Sequence, residues 1–86
     1  MSTYRIENCA GSAESARRAE LGGAYRVELC AGLPEGGTTP SYGEILTARQ
    51  AINIKLNVII RPRSGDFLYT PIEVEAMLAD IRMARA

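Results

Sequence analysis

Two short segments repeat the same pair of reactive side chains, Glu7-x-Cys9 and Glu28-x-Cys30. Alternation along a strand puts each glutamate on the same face as its cysteine. On neighbouring parallel strands, about 4.8 Å apart, matched positions set Cys9 beside Cys30 and Glu7 beside Glu28. Two thiolates at that spacing suit a soft ion of low coordination number such as Cu(I). They suit structural zinc poorly, because zinc takes four N/S ligands and the chain has no third Cys and no His. The same spacing falls within disulfide range, although no Cys-x-x-Cys is present. The bland alternative is that both cysteines are small buried hydrophobes. Adjacent glutamates repel and raise each other's pKa unless a cation joins them. Arg61, leaving the end of a third strand, is placed to do so, and Arg63 lies two residues further on.

Two loops add further donors. Leu33-Pro34-Glu35-Gly36-Gly37-Thr38-Thr39-Pro40-Ser41 runs into a helix start, and Arg61-Pro62-Arg63-Ser64-Gly65-Asp66-Phe67 sets two cations beside a turn. Both present groups that bind a carboxylate or phosphate, so a small anionic ligand held by Arg61, Arg63 and the glycine loop is a second reading. Asp66 has the simpler role of pairing with Arg61 or Arg63. Neither loop has P-loop spacing. Glu7 and Glu28 imply a polar pocket or an ion pair, since charges facing an apolar strand pair are costly without partners.

The elements that must position these groups alternate strand and helix. Strands are expected at about Tyr4–Cys9, Tyr25–Cys30 and Leu56–Ile60. The run Val58-Ile59-Ile60 suits a strand covered on both faces. Ser12 caps a first helix, with Glu14 in its first turn, an apolar face of Ala13, Ala16, Ala19 and Leu21, and a stop at Gly22-Gly23. Ser41-Tyr42-Gly43-Glu44 has capping-box spacing for a second helix carrying Ile45, Leu46, Ala48 and Ile52. Thr70-Pro71-Ile72-Glu73 opens a third, whose apolar face is Val74, Met77, Leu78, Ile81 and Met83/Ala84. Such alternation predicts an α/β chain with a parallel sheet, strand order 1-2-3, and both cysteines at the carboxyl ends of their strands. A (β/α) barrel and an open doubly wound sheet both place chemistry at that edge. Tyr4–Gly11 and Tyr25–Gly32 agree at six of eight positions, an internal repeat at an offset of 21.

Composition narrows the classes. The 86 residues fit one small domain, with 47% hydrophobic and 23% charged residues, an ordinary globular balance. Ten basic residues balance ten acidic ones, which argues against nucleic acid or an anionic membrane as partner. Nine of the ten basic residues are Arg, the better side chain for bidentate anion recognition. The absence of His excludes His-based triads and metal sites within these residues. No apolar run is long enough for a membrane span, and Met1–Arg5 does not read as a signal peptide. The expectation is a cytoplasmic protein whose cysteines are reduced thiols. No organic cofactor is expected, and the residues specify no reaction, so no catalytic group is assigned.

The stretch Arg26-Val27-Glu28-Leu29-Cys30, Pro34-Glu35-Gly36-Gly37-Thr38-Thr39-Pro40-Ser41, Ile60-Arg61-Pro62-Arg63 and Gly65-Asp66-Phe67 resembles the CutC family of copper homeostasis proteins. Strand 1 with Glu7 and Cys9, and the Glu14-Ser15-Ala16 turn, are also similar to it. The resemblance implies a TIM-like (β/α) barrel, a cytoplasmic setting and a role in copper handling. It implies that Cys9 and Cys30 are Cu(I) ligands, and that Glu7, Glu28, Arg61, Arg63 and Asp66 line the same end of the barrel. Members of that family are roughly three times longer, so residues 1–86 are expected to form a partial barrel of three βα units. Such a sheet leaves strands 1 and 3 as open edges. The expectation is a fragment, a truncated product or a chain that associates with copies of itself, with the inner face of Glu7, Glu28 and Ile59 exposed.

Overall fold

Local chemistry sets the helices. The structure, a computed structural model, describes residues 5–85. The element order is β1 (Glu7–Ala10), α1 (Ala13–Leu21), β2 (Arg26–Leu29), a 3-10 turn at Leu33–Glu35, α2 (Tyr42–Ala51), β3 (Lys55–Val58) and α3 (Pro71–Arg85). Tyr4, the expected first residue of strand 1, lies outside the described residues. The Ser12 hydroxyl accepts from the Ser15 N–H at 3.1 Å and the Ser41 hydroxyl from the Glu44 N–H at 3.2 Å. The capping box at Ser41 is only half formed, because the Glu44 carboxylate accepts from the Ala13 N–H at 2.7 Å instead. That bond ties the start of α2 to the start of α1, which matters more to the fold than a second local cap. At α3 the box is complete: Glu73 N–H donates to Thr70 Oγ1 at 3.2 Å, and Thr70 N–H donates to Glu73 Oε1 at 2.8 Å.

The three strands form one parallel sheet in the order β1-β2-β3. One face is covered by helices. There Val27 and Leu29 of β2 are fully buried, with Ala10, Ala16, Ile45, Ala48 and Ile52 around them. Burying a Val or Leu side chain contributes about 1.5–3 kcal/mol, so β2 is the anchor of the core. Ala16 and Ala48 are small enough to let α1 and α2 approach the sheet together. Leu21, expected on the inner face of α1, is exposed.

The other face carries Glu7, Cys9, Arg26, Glu28, Lys55 and Asn57, paired across the strands as Glu7↔Arg26↔Lys55 and Cys9↔Glu28↔Asn57. No helix packs on it among the described residues. Strand β3 therefore alternates exposed Lys55 and Asn57 with half-buried Leu56 and Val58, and ends before Ile59. It is not the doubly covered strand that Val58-Ile59-Ile60 suggests, because only one layer of helices is present to bury it. Helix α3 packs lightly on α2 and buries no residue. Of its expected apolar face, Met77 and Ala84 are half-buried, while Val74, Leu78, Ile81 and Met83 are exposed.

The register corrects the expected pairing. Cys9 lies opposite Glu28, not opposite Cys30, and Glu7 lies opposite Arg26, not opposite Glu28. Partners are 19 residues apart in sequence, whereas the repeat offset is 21. Strands that curl towards a barrel must stagger, and an even stagger keeps every side chain on its face. Two residues of rise and one strand spacing put the Cys9 and Cys30 Cα atoms roughly 8 Å apart, beyond the usual disulfide limit of about 6.8 Å. The disulfide option therefore fails on geometry.

Candidate functional site at the carboxyl end of the strands

The stagger creates a cluster that simple matching would not have made. Glu28 lies between the two thiols. The Cys9 thiol donates to Glu28 Oε1 at 3.5 Å, and the Cys30 thiol reaches the same oxygen at 3.8 Å and the Glu28 carbonyl at 3.8 Å. Both cysteines are free, Cys9 exposed and Cys30 buried. Cys30 immediately follows β2, and its N–H donates to the Ala10 carbonyl at 2.9 Å, which fixes it at the rim.

The electrostatics of the cluster favour neutral thiols. The hydrogen bond to Glu28 raises the Cys9 pKa first, with smaller contributions from desolvation and from the charges of Glu28 and Glu7. Burial pushes the Cys30 thiol up to about 11, reinforced by the Glu28 carboxylate. Glu7 does not press on Glu28 without compensation, because its carboxylate is held by Arg26 at 2.9 Å and by the Asn57 amide at 3.4 Å. Arg26 thus plays the part expected of Arg61. Its place two residues before Glu28 on the same strand was the available signal.

Arg61 serves the loops instead. Its guanidinium donates to the Glu35 and Gly37 carbonyls, each at 3.1 Å, and to the Gly65 carbonyl at 3.0 Å. It stacks over Phe67, 5.0 Å from the ring centroid. The backbone joins in: Arg61 N–H donates to Thr39 Oγ1 at 2.7 Å, and Thr39 N–H donates to the Arg61 carbonyl at 2.9 Å. Arg61 therefore pins the β2–α2 loop to the β3–α3 loop. Gly36 lies at φ 92, and a Cβ there would sit 2.8 Å from Arg61 Nη1. Only glycine combines that backbone with that contact. Gly37 backs directly onto Cys30, where a Cβ would lie 3.7 Å from the sulfur. Arg61 thus touches the thiol cluster only through the loop it holds.

Arg63 and Asp66 form a separate knot. Arg63 is paired with Glu73 through Nε and with Asp66 at 3.2 Å. It also donates to the Asp66 and Leu68 carbonyls at 3.0 and 2.9 Å. The Leu68 N–H and the Arg63 guanidinium hold the Asp66 carboxyl below its usual range. The Glu73 carboxyl is lowered by Arg63 and by the Thr70 N–H. Arg61 and Arg63 thus build the rim loops, the Arg61 Nε alone among the described residues being buried without a hydrogen-bond partner, and neither bonds to Glu7 or Glu28.

The structure thus brings Cys9, Cys30 and Glu28 together, with Glu7 held beside them, and keeps Arg61, Arg63 and Asp66 in the loops above. Among the described residues no group of three or more His, Cys, Asp or Glu side chains has the spacing to hold a metal ion. What the cluster offers is a pair of soft donors converging on one carboxylate oxygen. That donor set fits a two-coordinate soft cation.

A family model described as CutC family matches residues 4–86. A protein of Bacteroides thetaiotaomicron named family protein CutC is 66% identical over 86 residues, covering 99% of this chain and 34% of that protein. A human protein named copper homeostasis protein cutC homolog is 55% identical over 82 residues, covering 95% of this chain and 30% of that protein. A crystal structure of CutC from Streptococcus agalactiae superposes with a TM-score of 0.86 at 40% identity, covering 95% of this chain and 41% of that one. The chain therefore spans about a third of the length of the curated relatives it matches. Its three parallel strands in order, with their helices, are a portion of that fold. No helix among the described residues is long and apolar enough to cross a membrane.

Proposed function

The chain belongs to the CutC family, and from that premise we propose that it contributes to copper homeostasis by binding Cu(I) through the Cys9 and Cys30 thiolates. The observation that supports this reading is the convergence of both sulfurs on Glu28 Oε1. Copper is cargo here, not a resident cofactor. Softness selects it: two sulfur donors prefer Cu(I) to harder divalent ions. Each thiol must lose its proton to bind, and Glu28 is the carboxylate placed to accept one. A reducing cytoplasm is the setting in which both thiols and Cu(I) persist.

The reading is tested by anaerobic competition between the reduced chain and a chromogenic Cu(I) chelator. One ion per chain is expected, with binding lost in Cys9→Ala and in Cys30→Ala. Undiminished affinity in the double variant Cys9→Ala/Cys30→Ala would remove the proposal. The anion-binding alternative has less support, because both terminal nitrogens of Arg61 bond to backbone carbonyls and its Nε, unpartnered among the described residues, is buried, while Arg63 is committed to carbonyls, Asp66 and Glu73.

A further inference from the structure

The buried sulfur of the thiol pair is enclosed by a loop that returns on its own strand. Cys30 is 3% exposed. The chain leaves β2 there and turns back on itself, because Ala31 and Thr38 pair as an antiparallel bridge through bonds of 2.8 and 2.7 Å. The turn brings Gly37 against Cys30. A Cβ at Gly37 would meet the Cys30 Cβ at 3.6 Å, its sulfur at 3.7 Å and Ile59 Cδ1 at 3.4 Å. Gly36 and Gly37 lie at φ 92 and 93, a region that glycine enters without strain. Two successive glycines thus serve one close approach to the thiol.

What holds Gly37 in place comes from beyond the next strand. Its N–H donates to the Gly32 carbonyl at 3.1 Å, inside the turn. Its carbonyl accepts from Arg61 Nη1 at 3.1 Å, as does the Glu35 carbonyl, and Arg61 Nη2 donates to the Gly65 carbonyl at 3.0 Å. A planar fork suits acceptors fixed on two loops better than a point donor does. Arg61 Nε is left buried with no hydrogen-bond partner among the described residues. An unmet buried donor on a charged group is costly, so the guanidinium sits where the carbonyls need it and not where all its own nitrogens are met. Cys9 provides the contrast: among the described residues its thiol bonds to Glu28 and to neither loop.

We propose that Arg61 is a positioning residue for the Cys30 donor. By fixing Gly37 against the sulfur, its guanidinium sets how readily that thiol is reached and how slowly it gives up a bound soft ion. Retention of the ion rests on the copper reading, whereas access to the thiol stands without metal. Arg61 touches no ion itself and acts through one glycine.

Iodoacetamide labelling of the reduced, metal-free chain at one fixed pH, followed by peptide mass spectrometry, gives the ratio of the Cys30 rate to the Cys9 rate. In Arg61→Ala that ratio should rise about tenfold, the effect of making the loop easier to open by about 1.4 kcal/mol. Arg61→Lys keeps the charge without the fork and should recover part of the native ratio. Ile52→Val thins the core at the other end of the sheet and should leave the ratio native, since a general loss of stability does not select one loop. Stopped-flow transfer of Cu(I) from the loaded chain to a chelator should also be about tenfold faster in Arg61→Ala. A ratio that stays native in Arg61→Ala, or rises equally in Ile52→Val, overturns the proposal. So does transfer at the native rate from Arg61→Ala. A native chain that takes up no Cu(I) refutes the copper reading instead, and the labelling ratio then decides for Arg61. Should Arg61→Ala not fold, Arg61→Lys decides, because its ratio must lie above the native value.

Discussion

Replacing Glu28 by Gln isolates what one carboxylate does to the two thiols that share it. In the native chain the Cys30 pKa rises from an ordinary 9.0 to about 11, with burial the leading cause and the charge of Glu28 next. A rise of that size leaves about a hundredfold fewer thiolates than an ordinary cysteine carries at any pH well below the midpoint. Cys9 is exposed, and its rise comes first from the hydrogen bond to Glu28. Glutamine keeps the shape of the side chain but carries no charge. In Glu28→Gln the Cys9 pKa should fall back towards the ordinary range. Cys30 should fall only part of the way, because its burial is unchanged. The assay is alkylation by iodoacetamide as a function of pH, with each cysteine followed by peptide mass spectrometry, since the thiolate is the reacting form. Cys9 should react first, and its profile should move to lower pH in the variant. Cys30 should lag about a hundredfold from ionisation alone, and more from burial. A Cys9 profile that does not move, or a Cys30 that reacts as fast as a small-molecule thiol, would refute the account of the cluster.

The loop architecture makes its own predictions. Arg61→Ala removes the guanidinium that joins three carbonyls across two loops and should lower stability by about 2 kcal/mol, read as a shift of the urea midpoint. Gly36→Ala should cost about 1–2 kcal/mol by the same measurement, because a Cβ is strained at φ 92. Thr70→Ala takes away the cap of α3 and should cost about 1 kcal/mol, seen as faster amide exchange in α3 than in α1 or α2. Asp66 and Glu73 have lowered pKa values in the folded chain. Their stabilisation is complete above their ordinary values of 3.8 and 4.5, and it is lost as pH falls from there through the lowered folded values. An acid titration of Asp66→Asn should show a shallower decline over that window than the native chain. An identical decline would show that the knot contributes nothing to acid stability.

Helix starts were legible in the sequence because a cap is a local event. Ser12, Ser41 and Thr70 each accept the bond their spacing announces. The strand order and the shared face of Glu7, Cys9, Glu28 and Cys30 were legible for a similar reason, since alternation is a property of the strand itself. Register was not. The repeat aligns Cys9 with Cys30 by similarity, but the stagger of a curling sheet aligns Cys9 with Glu28. The destinations of Arg61 and Arg63 were hidden for another reason. Their acceptors are mostly main-chain carbonyls, whose directions are set by turns at Gly36, Gly37 and Gly65, and a carbonyl leaves no mark in sequence. Glu44 shows the same effect in reverse: its spacing announces a local cap, and tertiary contact takes it to Ala13.

Helix α3 buries no residue, yet its first turn is fastened by Glu73 to Arg63. The element is therefore held at its start by that pair and near its end by Ala84, which packs against the core, with little buried between. Local opening there costs little compared with unmaking the sheet, so α3 is a cooperative unit of its own. Amides of α3 should exchange faster than those of Val27 and Leu29, which stay protected in the core. A protease would shave this last helix and leave β1–β3 with α1 and α2 standing.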